Sequence, residues 1–376
     1  MDGVPSLSAD QAGAFRTILN RLARGETLTE TEAEDAFGLI MDGGVPDTLI
    51  AAFLMALRVR GEKRAELLGA VRAVRSRMRA VGPVPPGTID VCGTGGDGLG
   101  TLNISTAVAF VLAALGVPVA KHGNRALSSR SGATDVLGAL GVDLSDDPSV
   151  IAARINDGNL AFMAAPAHHP AMRHAGPVRA ALGIRTLFNL IGPLCNPAGV
   201  THQLVGVFDP AWLRPVVETL QLLGSERVWA VHGYCEGATG GRGVDELTLA
   251  GPTAIVALQN GRIYDLTLRP EDAGLRPAPI TAIAGGGAEE NAAALTALLA
   301  GAHGAYRDTV LLNAAACLHV AGRGAALDDD GRLRPASLRA LVADAARVLD
   351  DGSALAMLNS ARRRHMDTPE GITQSL

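Results

Sequence analysis

The chain has 376 residues, 48% hydrophobic and 19% charged, a length that suits two domains and a composition that supports a large core and excludes wholesale disorder. A net charge of −5 argues against a nonspecific nucleic-acid binder, which carries a basic excess. Four scattered cysteines without C-x-x-C spacing (Cys92, Cys195, Cys235, Cys317) argue against a disulfide scaffold or zinc site and fit a reducing cytoplasm. The start, MDGVPSLSADQ, lacks the basic and apolar regions of a signal peptide. The longest apolar run, residues 107–120, contains Gly116 and Pro118 and is too short to span a bilayer.

In chain order, Phe15, Ile18, Leu19 and Leu22 follow helical spacing. Thr29 and Glu32 form a capping-box pattern ahead of Ala33, Phe37 and Ile40. Asp47 opens a third helix through Phe53, Leu54 and Leu57, which Gly61 closes, and Leu67, Leu68, Val71, Val74 and Met78 mark a fourth. Short connections make these a compact bundle. The stretch GPVPPG, 82–87, reads as a linker between a helical domain (1–81) and a second domain (88–366), with a loose tail at 367–376. Beyond the linker, 88–92 reads as a strand, 105–115 as a helix, 117–121 as a strand and 132–140 as a helix, an order that implies a parallel sheet. Further strands are expected at 202–208, 228–232 and 253–258, with a hairpin turn at Asn260-Gly261.

The chemistry concentrates in two loops. DVCGTGGDGLGTLNIST, 90–106, puts five glycines between a strand and a helix start. Unpaired N–H groups and the helix dipole there favour an anion, and glycine lets backbone approach it. The spacing matches neither G-x-G-x-x-G nor G-x-x-x-x-G-K-[ST], so phosphate and a plain tight turn both stay open for this loop alone. KHGNRALSSRSGATD, 121–135, follows the next strand with Lys121, Arg125, Asn124 and the hydroxyls of Ser128, Ser129 and Ser131. Two such loops at the carboxyl ends of neighbouring parallel strands suggest a ligand with more than one phosphate. Asp245-Glu246 reads either as a solvated pair or, if a turn brings both side chains to one side, as a cation arm. His168-His169 reads as a helix-start pair with one ring buried, Arg179 as a solvated helix face, and a metal site through His174 lacks a carboxylate at helical spacing.

GTGGD at 93–97, NIST at 103–106, KHGNR at 121–125 and SSRSGATDVL at 128–137 resemble the signature of anthranilate phosphoribosyltransferases. The similarity continues in APAHHPAMRHAGPVRAALGIRTLFNLIGPLCNPA at 165–198, GVDELTLAGPT at 243–253 and AAFLMALRVRG at 51–61, and covers residues 12–362. Departures are small: Ala126-Leu127 fills a variable spot and Thr134 stands where a small residue is common. The resemblance implies a small all-α N-terminal domain, joined by helices from about 168–190, on a larger α/β domain with a mostly parallel central sheet flanked by helices. It implies a homodimer formed through the helical domain, and transfer of the phosphoribosyl group of phosphoribosyl pyrophosphate to anthranilate, a step of tryptophan biosynthesis.

The same resemblance implies donor contacts from Gly93, Gly95, Gly96, Asp97, Thr101, Asn103, Ile104, Ser105 and Thr106 in the first loop. In the second it implies Lys121, His122, Gly123, Asn124, Arg125, Ser128, Ser129 and Ala133. Anthranilate falls to Gly93, His122, Asn124, His169 and Arg179, with Lys121, Asn124 and Arg179 catalytic. Magnesium, as two ions, falls to Ser105, Asp245 and Glu246. Arg185 is the rival of Arg179 for the carboxylate, and helical spacing is expected to turn it to another face. Two alternatives stand beside this: a pyrimidine nucleoside phosphorylase, which would not need GTGGD followed by NIST, and a nucleic-acid-binding relative, which would lose acceptor residues and gain basic surface. No nucleic-acid or membrane partner is expected.

Overall fold

A computed structural model describes residues 7–95, 98–124, 131–235 and 243–366. The chain opens with α1 (Ala9–Ala23), α2 (Glu30–Met41), α3 (Asp47–Arg60) and α4 (Arg64–Arg75). The Thr29 hydroxyl accepts from the Glu32 N–H while the Glu32 carboxylate accepts from the Thr29 N–H, so both ends of the expected capping box form. Gly61 closes α3 at φ 87°, a conformation that favours glycine. The fourth helix is shorter than its apolar spacing suggests. It stops at Arg75, and Met78 sits half-buried beyond it, because the chain turns there to pair the Arg79 N–H with the His168 carbonyl at 2.8 Å.

After residues 82–87, which carry neither helix nor strand, come β1 (Ile89–Gly93), α5 (Ile104–Ala114), β2 (Val119–Gly123), α6 (Ala133–Ala139), α7 (Pro148–Gly158) and β3 (Leu160–Ala164). Three short helices follow, α8 (Ala165–His168), α9 (Gly176–Leu182) and α10 (Phe188–Ile191). Then come β4 (His202–Gly206), α11 (Leu213–Leu222), β5 (Arg227–Tyr234), β6 (Gly243–Val244), β7 (Thr253–Gln259) and β8 (Arg262–Leu268). The remainder is helical: α12 (Ala288–Leu299), α13 (Ala305–Val320), α14 (Pro335–Asp350) and α15 (Ser353–Met366).

Among the described residues the strands form one sheet in the order β3-β2-β1-β4-β5-β7-β8, with β6 paired to β5. Pairing is parallel from β3 to β5 and antiparallel at β7, β8 and β6. Asn260 and Gly261, at φ 52° and 72°, make the β7–β8 turn, as a two-residue hairpin of this twist requires. One sheet face packs on α5 and α12–α15 around Phe110, Trp229 and Leu312. The other face continues through Val205, Val228 and Trp212 into the apolar interior of α1–α4, so the helical unit and the sheet share a core. Phe188 on α10 meets Phe37 edge-on at 5.4 Å, tying α10 to α2.

One charge is buried inside the helical unit. Glu66, with 0% exposure, accepts from the Leu28 and Lys63 N–H groups and pairs with Arg60. Removing one partner of such a pair leaves the other charge desolvated and unpaired. Glu66→Ala is expected to cost about 3–5 kcal/mol in denaturant unfolding; a loss under about 1 kcal/mol would show that Arg60 reaches water without it.

Candidate active site

The chain builds β1, β2 and β3 outward in one direction, then returns to place β4 on the other side of β1. That reversal makes a crevice outside the carboxyl ends of β1 and β4, where open α/β sheets take ligands. Both strands end there on glycine, Gly93 and Gly206, which are register partners. A Cβ on Gly93 would overlap Asp245 Oδ2, and one on Gly206 would overlap the Asp245 carbonyl. Gly233, at the end of β5, clears the Glu246 carbonyl in the same way. The carboxylate pair thus lies in a bend after β6, laid directly over the strand ends. The upstream Gly243 contributes through space rather than through backbone freedom: a Cβ there would overlap the His232 ring.

Asp245 is buried and its Oδ2 accepts from the Gly95 N–H at 2.6 Å, which joins the bend to the glycine loop. Glu246 is half-buried. Burial, and then the Glu246 charge, push the Tyr306 phenol well above its ordinary range. On α13, Asn313 is fully buried; its Oδ1 accepts from the Leu247 N–H at 3.1 Å and its Nδ2 donates to the Leu247 carbonyl at 2.9 Å. Seven residues earlier on the same helical face, the Tyr306 hydroxyl donates to the Asn103 carbonyl at 3.2 Å.

Asn103 leads into α5, and no side chain caps that helix, so its first-turn N–H groups and dipole face the crevice. Ser105 is half-buried, whereas Thr106 is fully buried with its hydroxyl unpartnered. Ile104 is buried in the core and Thr101 forms an isolated bridge with Ala284. Lys121, with 3% exposure, donates from Nζ to the Val91 carbonyl at 2.6 Å and to Ser105 Oγ at 3.1 Å. Its third N–H has no partner among the described residues. Asp90, one strand over, is fully buried; its Oδ1 accepts from the His122 N–H at 3.1 Å. Burial raises the Asp90 pKa and the Lys121 charge opposes that rise.

Gly123 and Ala133 frame the start of the second loop and of α6, and Asn124 is exposed, its carbonyl 3.4 Å from the Thr134 N–H. His122 and His169 meet edge-on at 5.0 Å. Burial lowers the His122 pKa well below its usual value, and lowers that of His169 to about 4. His122 Nε2 and both ring nitrogens of His169 are buried without hydrogen-bond partners. Arg179, in the last turn of α9, lies over the Phe188 ring at 5.2 Å. Burial lowers its pKa, and no carboxylate pairs with it among the described residues. Arg185 lies over Phe208 instead, 4.4 Å from its centroid. The reason is not helical spacing: α9 ends at Leu182, and Gly183, at φ 62°, turns the chain before Arg185.

The expected positions Gly96, Asp97, Arg125, Ser128 and Ser129 lie outside the described residues. Asp90, Gly206, Gly233, Asn313 and Tyr306 carry no expectation from sequence, although a charged residue inside the apolar run of β1 was a usable signal for Asp90. No group of three or more His, Cys, Asp or Glu side chains poised for a metal occurs among the described residues. Ser105, Asp245 and Glu246 offer instead a small set of hard oxygens, the donor type that suits magnesium, which keeps waters and takes the rest of its shell from phosphates.

The glycosyl transferase family profile for the a/b domain matches residues 85–355, and its helical bundle domain matches residues 16–78. The anthranilate phosphoribosyltransferase of Gluconobacter oxydans is 58% identical over 357 residues, 95% of this chain and 96% of that protein. The chain belongs to the anthranilate phosphoribosyltransferase family. The family's enzyme from Azorhizobium caulinodans is 49% identical, covering 93% of this chain and 96% of the relative. Two solved members of the family share the fold. That from Thermus thermophilus superposes with a TM-score of 0.81 at 43% identity, covering 92% of this chain and 98% of its own. That from Saccharomyces cerevisiae, in complex with PRPP and Mg, has a TM-score of 0.82 at 26% identity, covering 95% and 99%. No helix among the described residues is long and apolar enough to cross a membrane.

The buried histidines set a pH window. His169, and His319 on α13, each have a folded pKa of about 4, lowered first by burial from an ordinary 6.5. Between those values the unfolded chain binds more protons, so stability is full above about pH 6.5, falls as the pH drops toward 4, and changes no further through these groups below that. Each contributes a loss on the order of 3 kcal/mol across the window. Urea titrations between pH 7 and 5 are expected to show this fall, and a shallower one in His169→Gln. Equal slopes for both proteins would mean the ring is hydrated.

Proposed function

We propose that this chain transfers the 5-phosphoribosyl group of phosphoribosyl pyrophosphate (PRPP) to the amine of anthranilate. The products are N-(5′-phosphoribosyl)anthranilate and pyrophosphate, a step of tryptophan biosynthesis. The observation that carries it is the uncapped start of α5 beside buried Lys121 and Asp245, at the strand switch of a chain 58% identical to an anthranilate phosphoribosyltransferase. That similarity favours the transferase over the nucleoside phosphorylase and nucleic-acid-binding alternatives.

PRPP carries several negative charges, and breaking its C1–O bond leaves positive charge on the ribose and more negative charge on pyrophosphate. Covalent help from the protein is unnecessary, so positioning and fixed charge do the work. Gly93, Gly95 and Gly96 leave the phosphates room against the backbone, the Gly95 N–H itself being held by Asp245, and Thr101, Asn103 and the first turn of α5 (Ile104, Ser105, Thr106) bring N–H and hydroxyl donors to them. The free N–H of Lys121 faces the leaving group, and His122, Gly123, Asn124, Arg125, Ser128, Ser129 and Ala133 line the second loop. Asp97 takes a ribose hydroxyl or a metal-bound water. Ser105, Asp245 and Glu246 would hold magnesium, as two ions, which when bound would neutralise the pyrophosphate. Because Ser105 and the carboxylates come from different loops, each side would hold one ion.

Anthranilate lies between Gly93, the neutral rings of His122 and His169, and Asn124. Arg179 clamps its carboxylate. A half-buried guanidinium that pairs with no carboxylate among the described residues lacks a counter-charge, and a planar fork takes a carboxylate through two parallel hydrogen bonds. The amine attacks without prior deprotonation, so no general base is assigned. Four buried thiols suit the cytoplasm. The helical unit of residues 1–81, with the segment near 168–190, forms one domain beside the 88–366 domain and pairs two copies; Val59, 80% exposed at the end of α3, supports a partner there.

Mixing the protein with anthranilate, PRPP and magnesium should consume the anthranilate fluorescence; no change at any magnesium level would overturn the assignment. Arg179→Ala is expected to raise the anthranilate KM roughly ten- to hundredfold, the effect of a charge-assisted contact of about 1.5–3 kcal/mol, with the PRPP KM near normal. The clamp is misassigned if Arg185→Ala alone reproduces that loss.

Asp245→Asn combined with Glu246→Gln should shift the magnesium dependence to higher concentration and slow turnover, leaving anthranilate affinity near normal. Wild-type rates across a magnesium titration would reduce the pair to surface charge.

A further inference from the structure

Residues 283–291 carry none of the motifs read from sequence, yet they are tied to both glycine-rich loops. The Leu102 N–H donates to the Ile283 carbonyl at 2.9 Å and the Gly285 N–H to the Gly100 carbonyl at 2.7 Å, around the Thr101–Ala284 bridge. A Cβ on Gly285 would crowd the Thr101 carbonyl, so the strap lies flush on the loop. Its end is Asn291 in the first turn of α12, 2% exposed. Asn291 Oδ1 accepts from the Gly286 N–H at 2.8 Å. Its Nδ2 donates to Asn103 Oδ1 and to Ser131 Oγ, both at 3.0 Å. Asn103 leads into α5 from the first loop, and Ser131 stands one residue before Gly132, the cap of α6, at the end of the second.

A side-chain amide has two N–H donors and one oxygen, and here all are engaged in one orientation, since a flip would set oxygen against oxygen at Asn103. With its Oδ1 held by Asn291, the Asn103 amide turns its own N–H groups away from Asn291. A single buried side chain thus sets the spacing between two loops that come from different strands and that both face the proposed donor.

We propose that Asn291 is a positioning residue that locks the two donor loops together, so that they take up PRPP as one unit. This rests on the transferase reading above. Without the amide each loop is ordered separately, and the donor alone bears that cost. The effect therefore falls on PRPP and not on anthranilate.

The test measures PRPP binding by calorimetry with magnesium, and both KM values by steady-state kinetics, for the wild type, Asn291→Ala, Ser131→Ala and the double variant. Asn291→Ala should raise the PRPP Kd and KM about tenfold, the loss of its two hydrogen bonds to the loops, with anthranilate KM at saturating PRPP unchanged. Ser131→Ala should raise the PRPP Kd about threefold, and the double variant should fall short of the sum, because both changes remove the Asn291–Ser131 bond, although the Ser131 hydroxyl also donates to the Gly286 carbonyl at 3.4 Å. A purely structural role would lower thermal stability and move both KM values or neither. Should Asn291→Ala not fold, Asn291→Asp keeps the bond from Gly286 and removes both donors, and the same shift is expected of it. A PRPP Kd within twofold of wild type, or additive effects of Ser131→Ala and Asn291→Ala, overturns the proposal. A wild type that binds no PRPP overturns the transferase reading instead.

Discussion

The Asp245–Glu246 bend can cross the carboxyl ends of β1 and β4 only because Gly93 and Gly206 present no side chains there. Any Cβ at those two register partners would occupy the volume of Asp245 itself. This steric permission decides how close an acidic group comes to the glycine loop, and the Gly95 N–H at 2.6 Å from Asp245 is its direct result. From that contact the rest of the site is arranged outward: Asn313 holds the residue after the carboxylates by both backbone groups, and Tyr306 on the same face of α13 holds the start of α5. A side chain at Gly206 would disturb not one bond but the relation between all three.

Electrostatically the crevice is polarised. Lys121 is buried with one N–H unspent among the described residues, and Asp90, whose pKa burial raises and the Lys121 charge lowers, is buried one strand away and facing the His122 backbone. On α9, Arg179 rests on an aromatic ring, with no carboxylate pairing among the described residues. His122 and His169, in edge-on contact, are kept neutral by burial. Buried cations of this kind gain most from anionic ligands that complete their charge balance. In a partly desolvated crevice such charges act more strongly than they do in water.

The helical unit is not an appendage. Its apolar interior runs without a break from Phe15 through Phe53, Phe37 and Phe188 to the sheet residues Val205 and Val228. Phe188 takes part twice, meeting Phe37 edge-on and carrying Arg179 over its ring. The position of Arg179 is therefore coupled to the packing of α2 and α10, so a core substitution there reaches Arg179.

Local pattern by itself determined the elements whose formation is local. The Thr29–Glu32 box, the Gly61 stop, the Asn260-Gly261 turn and the strand–glycine–helix units at β1 and β2 depend on residues within a few positions of one another, and the sequence displays them directly. The motifs also marked Lys121, Ser105, Asp245 and Arg179 as a group through resemblance. What tertiary structure alone decided were the contacts with no local signature. The strand β3, LAFMA, has no alternation and modest β-propensity; burial and pairing with β2 make it a strand. The end of α4 before Met78 is set by pairing with residue 168, not by spacing. Gly206 and Gly233 read as ordinary glycines until a bend from elsewhere in the chain lies on them. Asn291 reaches Asn103 and Ser131 across 188 and 160 residues. Periodicity records which face of an element is apolar; it carries no information on which polar side chain meets which loop once the layers are packed, because that depends on the relative placement of elements that only the folded sheet brings together.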